Sequence, residues 1–197
     1  MEGGKIYCLP EDGAPVFRVS SDSGNVTGPA WNPDGSQILY VATGKDEAGH
    51  DYEKAWFTIV NLADLETRNL ELPPGLLGVR SPAWSPDGTR VAFVARPVTT
   101  PGIAYTDLYI MNLSDGTTVN FTNGSISFIG MPTWSADGSR IAFTTGVEND
   151  WSLHVMEVNG ETRKNRQTSM GGNFILNLTW SPDGKRFALQ RRVDDNF

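Results

Sequence analysis

Along the whole chain, short runs alternate apolar and polar residues and end in turns rich in Gly, Asp, Pro and Asn. Arg90-Val91-Ala92-Phe93-Val94 and Lys5-Ile6-Tyr7-Cys8-Leu9 are two such runs. Alternation with period two sends successive side chains to opposite faces of a strand, whereas a helix needs apolar positions about 3.6 residues apart. No helical periodicity is visible, so the pattern predicts an all-β chain of many short strands.

The strands are organised by an internal repeat. Four segments align without gaps: GPAWNPDGSQILYVAT from Gly28, SPAWSPDGTRVAFVAR from Ser81, MPTWSADGSRIAFTTG from Met131 and NLTWSPDGKRFALQRR from Asn177. Their tryptophans, Trp31, Trp84, Trp134 and Trp180, are spaced 53, 50 and 46 residues apart. Repeats of this length with strong β-propensity indicate propeller blades. Each core reads as a hairpin in which one strand ends at the tryptophan and a second follows the x-Asp-Gly turn. Asp34, Asp87, Asp137 and Asp183 are expected to accept backbone N–H bonds inside these turns, and Gly35, Gly88, Gly138 and Gly184 to take a positive φ. The aspartates resemble a calcium ladder, but their spacing puts each in a different blade, which favours the structural role.

A second hairpin follows each of the first three cores. It runs Trp56–Val60 to Thr67–Leu70, then Leu108–Met111 through Asp115-Gly116 to Thr118–Thr122, then Leu153–Met156 through Asn159-Gly160 to Arg163–Asn165. Two hairpins make one blade of four antiparallel strands, A to D. Lys5–Leu9 and Pro15–Val19 around Asp12-Gly13 have the shape of strands C and D alone, while the fourth core supplies A and B alone. The expected organisation over residues 1–197 is a half blade at 5–24, blades at 28–72, 81–122 and 131–168, and a half blade at 177–192. The halves are complementary. Three arrangements follow: two copies joined head to tail into an eight-bladed ring, a section of a longer propeller, or a ring of four blades closed on itself.

Composition agrees with this fold and narrows the partners. There are 21 glycines and 12 prolines, as many tight turns require. A net charge of −7 argues against a nucleic-acid groove or an anionic membrane surface. No apolar stretch reaches the length of a membrane span, and Met1–Pro10 lacks the apolar core of a secretory leader. Cys8 is the sole cysteine, so no intrachain disulfide forms. Asn-x-Ser/Thr triplets begin at Asn25, Asn112, Asn120, Asn123 and Asn177, and are what an Asn- and Thr-rich turn protein carries by composition.

The W-S-P-D-G core, followed by an I-A-F-type strand and then an I-Y-V-M-type strand, resembles the TolB-like β-propeller repeat, from Lys5 to Arg192. That repeat also occurs in propeller domains of prolyl-oligopeptidase relatives, so it specifies architecture better than activity. Asn32 stands where the family usually has Ser, Ala136 where it has Pro, and Trp56 and His154 where it tends to have Tyr. Family propellers usually have six or seven blades, more than are present here. The resemblance implies a periplasmic or otherwise extracytoplasmic protein; without a visible leader, a cytoplasmic location stays open.

Strand polarity puts the B–C and D–A loops on one face. The short A–B and C–D turns are alike, whereas the B–C loops at 43–54, 96–106 and 146–150 are long and dissimilar. Variable loops on a rigid repeat scaffold are where binding concentrates. Candidate binding residues on this face are His50, Asp51, Tyr52, Arg80, Tyr105, Phe128 and Trp151, with Ile129 beside them. His50 and Asp51 next to Asp46 and Glu47 read as a solvated acidic loop before they read as a metal cluster. His154, flanked by alternating apolar residues, reads as a sheet-face histidine before a ligand. Tyr105 and Trp151 suit stacking on a sugar or peptide and blade packing equally, while the four core tryptophans are expected to pack between blades.

Catalytic motifs are lacking: no G-x-S-x-G, H-E-x-x-H or Walker loop occurs, and two histidines leave few general bases. The expectation is therefore a non-catalytic protein-interaction scaffold with no cofactor and no metal. Its partners would be another protein or peptide, or a second copy of itself. The alternatives are the propeller domain of a larger enzyme and a carbohydrate- or small-ligand-binding module.

Overall fold

The computed structural model describes residues 4–20, 25–44, 54–98, 105–124, 129–147, 150–158, 165–169 and 175–191. Every regular element among them is a β-strand. Strands β1 (Tyr7–Cys8) and β2 (Phe17–Arg18) form a two-stranded pair. Sheet I contains β3 (Asn25–Trp31), β4 (Gln37–Gly44), β5 (Lys54–Asn61) and β6 (Thr67–Glu71). Sheet II contains β7 (Leu76–Trp84), β8 (Arg90–Pro97), β9 (Asp107–Asn112) and β10 (Thr118–Asn120). Sheet III contains β11 (Thr133–Trp134), β12 (Arg140–Val147), β13 (Asp150–Glu157) and β14 (Asn165–Ser169). A last pair joins β15 (Ile175–Trp180) to β16 (Phe187–Arg191). All pairings are antiparallel and all neighbours are consecutive in sequence, because each connection is a hairpin.

The x-Asp-Gly turns form by the chemistry their residues suggest. Gly35, Gly88, Gly138 and Gly184 have φ of 75°, 71°, 68° and 66°, which a Cβ would resist. The backbone N–H groups of Ser36, Thr89, Ser139 and Lys185 each donate to the preceding aspartate at 2.8–3.0 Å. In the turn after β5 the corresponding position is Leu65 (φ 61°), whose N–H donates to Asn61 O as Gly116 N–H donates to Asn112 O. The Asn159-Gly160 turn lies outside the described residues.

The first strands of sheets I and II begin earlier than the repeated motif, at Asn25 and Leu76. Register shifts between Thr27 and Ala30, and on either side of Arg80, bend them near Gly28 (φ 62°), Gly78 (φ 59°) and Ser81 (φ 53°). Gly28 is needed for a second reason: a Cβ there would stand 2.9 Å from Cδ of Pro82 in the next sheet.

The sheets pack face to face in chain order, with β3 against β7, β7 against β11 and β11 against β15. Between sheets I and II lie Leu39, Phe57, Phe93, Tyr109 and Met111; between II and III lie Leu108, Phe121, Ile141 and Phe143. The β1–β2 pair packs Ile6 and Val19 on Val26, Ile38 and Tyr40 of sheet I. Tyr40 occupies the place that Phe93 and Phe143 hold in the following sheets, and its hydroxyl is buried with no hydrogen-bond partner among the described residues. Because an unpaired buried hydroxyl is costly, Tyr40→Phe is expected to raise stability by about 1 kcal/mol in urea denaturation. A lowered midpoint would contradict this account.

Candidate functional site

Hairpin polarity puts the strand ends that carry the dissimilar loops on the same side of their sheets: Gly44 with Lys54, Pro97 with Asp107, and Val147 with Asp150. His50, Asp51, Tyr52 and Phe128 lie outside the described residues, as do Asp46 and Glu47. The structure does describe the frame that holds the loop containing Phe128.

That frame is built on Asp107 at the start of β9, which is 1% exposed. Thr122 Oγ1 and the Gly124 N–H donate to its Oδ1 at 2.7 and 2.8 Å, and Asn120 Nδ2 donates to its Oδ2 at 2.9 Å. Thr122 Oγ1 also accepts from the Leu108 N–H at 3.1 Å, and Asn120 Oδ1 from the Asn123 N–H at 2.8 Å. A buried carboxylate survives only when its lone pairs are occupied in this way. Burial, then the charge of Asp107 and the Tyr105 phenol, pushes the neighbouring Tyr109 phenol up to about 12, so it stays protonated.

The far end of the same loop is also clamped. The Ile129 N–H donates to Thr106 Oγ1 at 3.0 Å and Ile129 bridges to Thr145. Gly130 N–H donates to Thr144 O at 2.7 Å, so close that a Cβ on Gly130 would meet Thr144 Oγ1 at 2.2 Å. Arg80 Nη2 donates to Ile129 O at 3.2 Å, tying β7 to the same point. Burial lowers the Arg80 pKa from 12.5, and the guanidinium remains a cation on this face. Arg80 and Tyr105 are both half-buried, one at each end of the frame.

Trp151 is placed differently from a ligand platform. It is 3% exposed and lies against Gly146, where a Cβ would come within 2.3 Å of the indole. Its ring is packing and presents no face for a sugar or peptide. His154 is 4% exposed, stacks on Phe143 at 5.1 Å with 5° between ring planes, and shares a 2.7 Å hydrogen bond with Thr145 Oγ1. Thr145 is also buried, so this hydroxyl–imidazole pair cannot reach a substrate.

The repeated aspartates are occupied within their own turns. Hydrogen bonds from Ser135 and then Ser139 hold the Asp137 carboxyl down to about 2. Hydrogen bonds from Ser36 lower Asp34 and one from Ser181 lowers Asp183. At Asp87 burial acts upward, but hydrogen bonds from Ser85 and Thr89 outweigh it. Such acids are ionised at neutral pH and serve poorly as proton donors. Among the described residues no group of three His, Cys, Asp or Glu side chains converges to hold a metal. No helix among them is long and apolar enough to cross a membrane.

The core tryptophans join one sheet to the next. Trp84, Trp134 and Trp180 each donate Nε1–H to a backbone carbonyl of the preceding sheet: Ala30 O at 3.2 Å, Ala83 O at 3.0 Å and Thr133 O at 3.1 Å. Arg90 and Arg140 lie over the rings of Trp134 and Trp180, 4.9 and 4.8 Å from the centroids. Trp31 departs from this pattern and is 53% exposed.

This joint repeats down the chain, and a family profile described as the TolB beta propeller domain matches residues 48–197. The chain belongs to the TolB beta propeller domain family. Among solved structures, TolB from Acinetobacter baumannii aligns with a TM-score of 0.73 and 25% identity over 98% of this chain and 44% of that one. An oligogalacturonate lyase in complex with manganese aligns with a TM-score of 0.57 at 20% identity, covering 79% of this TolB-like chain and 41% of the lyase. A structure of prolyl endopeptidases aligns with a TM-score of 0.55 at 17% identity, covering 84% and 26%. The last two likenesses carry the fold alone. The chain spans less than half the length of the TolB structure it matches. No curated protein sequence matches it.

Asp107, Thr106, Thr122 and Thr145 escaped the sequence reading because nothing local marks them. Their partners lie 15 to 23 residues away for Asp107–Thr122 and Thr106–Ile129, and only the folded chain brings these groups together.

Proposed function

We propose that this chain is a non-catalytic scaffold of the TolB-like propeller type that docks a protein or peptide on its dissimilar-loop face. The observation that supports this reading is the double clamp: Asp107 bonds Thr122 and Gly124 on one side of residues 125–128, and Thr106 with Arg80 bonds Ile129 on the other. Loop ends fixed in this way lose less entropy on binding, which is how a rigid frame contributes affinity. The acids of the repeat are committed to turns and His154 is buried, which supports the non-catalytic reading. The relation to TolB favours a periplasmic setting.

The test is affinity capture from a periplasmic extract, comparing the natural chain with one in which Arg80 becomes Ala and residues 45–53 become a Gly-Ser linker. A partner held by the natural chain is expected to be lost, with circular dichroism unchanged. Equal capture by both would sink the loop-face reading. A second reading, the propeller domain of a larger enzyme, is favoured by the likeness to prolyl endopeptidases, of which the chain covers 26%. An α/β-hydrolase region in the same open reading frame would decide for it.

A further inference from the structure

At two joints between successive sheets, an arginine of one sheet serves the tryptophan of the next. Arg90 of sheet II lies over the Trp134 ring at 4.9 Å, and its Nη2 stands 3.7 Å from Oδ2 of Asp87, the acid of its own turn. Arg140 of sheet III covers Trp180 at 4.8 Å. At Arg90 the guanidinium is thus shared between an indole face and a carboxylate. The arrangement recurs because Trp, Asp and Arg hold fixed places in the repeat, as Trp84, Asp87 and Arg90 and again as Trp134, Asp137 and Arg140.

The joint between sheets I and II has every part but one. Trp84 donates Nε1–H to Ala30 O at 3.2 Å as Trp134 donates to Ala83 O, and Pro33 packs toward Gly88 as Pro86 does toward Gly138. The repeat, however, puts Gln37 where the next sheets have Arg90 and Arg140. Gln37 opens β4 on the same strand face as Leu39 and Val41, which is turned to sheet II, so it stands where an arginine would reach Trp84. Its amide is shorter and brings no charge. Two consequences are visible. Asp34 is exposed and pairs with no cation among the described residues, whereas Asp87 and Asp183 each have their arginine. Trp84 is only half-buried, whereas Trp134 beneath its arginine is 8% exposed. Sheets I and II both carry four strands, so this opening is made by a single side chain.

We propose that this joint receives an arginine side chain from another polypeptide, its guanidinium set over the Trp84 ring and against the Asp34 carboxylate. The occupant is a cation because an indole face attracts one and an ionised carboxylate stands ready to pair with it. It is arginine because a planar guanidinium stacks on an aromatic ring while its N–H groups reach an acid, as Arg90 does in the next sheet. The chain's net charge of −7 favours the approach of a basic segment. Gln37 and Gly44 are the two ends of β4, so the site lies on the turn side of the sheets and is independent of the dissimilar loops.

The probe is the capped tripeptide acetyl-Gly-Arg-Gly-amide, titrated into the isotope-labelled chain while the assigned Trp84 indole N–H is followed by NMR. A saturable shift is expected, fading as salt rises. The same tripeptide with citrulline in place of arginine keeps the shape without the charge and should give none. Asp34→Asn retains the turn's acceptor oxygen and should weaken binding about fivefold. Gln37→Arg supplies the cation from within the chain, and should abolish the shift while raising the melting temperature. An equal shift with the citrulline peptide, no shift with the arginine peptide, or undiminished binding in either variant overturns the proposal. Asp34→Asn leaves the core untouched, so it decides the matter should the arginine variant fail to fold.

Discussion

Replacing Phe93 with alanine is expected to lower folding stability by about 3–5 kcal/mol, the range found for truncating a buried aromatic ring. Phe93 is 0% exposed at the centre of β8. It meets Phe57 of sheet I edge-on at 5.1 Å and stacks with Tyr109 of its own sheet at 5.5 Å. Truncation removes the dispersion contacts of one ring and leaves two others facing a void that stiff strands cannot close. Against a typical total of about 5–15 kcal/mol, this is a large share. Urea denaturation of the variant measures it, with Phe93→Leu expected to lose less. A midpoint within error of the natural chain would show that sheets I and II are not held by this cluster.

The second large effect is expected at Asp107. Asp107→Ala removes the acceptor of the buried Thr122 hydroxyl, of the exposed Gly124 N–H and of the half-buried Asn120 amide, which keeps the Tyr109 hydroxyl as a partner at 3.3 Å. Leaving a buried donor unsatisfied costs about 1–3 kcal/mol, and with one fully buried donor left, a loss of about 1–3 kcal/mol is expected. Asp107→Asn keeps the oxygen that serves Thr122 and Gly124 but turns an NH2 toward the Asn120 amide, and should fall between the two. The damage should be local before it is global. Hydrogen exchange at Gly124 is expected to accelerate more than exchange at Phe93, since one clamp of the loop has been removed. Unchanged protection at Gly124 in the alanine variant would show that the carboxylate does not anchor the loop.

The two sites differ in how far they can be read from residues. Phe93 stands at a fixed place in a repeated alternating strand, and the same place holds Tyr40 and Phe143, so its burial is legible from the pattern. Asp107 stands before an ordinary apolar strand and looks like a solvated loop end; its burial depends on Thr122 and Gly124 arriving from the next strand. Trp151 shows the reverse. An aromatic beside a variable loop invites a binding role, yet the glycine opposite it, Gly146, makes a slot that the indole fills.

What the sequence by itself determined is everything that needs only near neighbours. The x-Asp-Gly turns follow from an acid that bonds the N–H two residues on and a glycine free to adopt positive φ. Strand faces follow from period-two alternation, and the order of sheets from hairpin-length links. Only the tertiary structure decided the environment of repeated residues. Trp31, Trp84, Trp134 and Trp180 share one motif, but three donate to a preceding sheet and Trp31 is half in solvent. A tryptophan's local sequence sets the strand it ends; its indole finds a carbonyl and a guanidinium only when another sheet, about fifty residues away, supplies them.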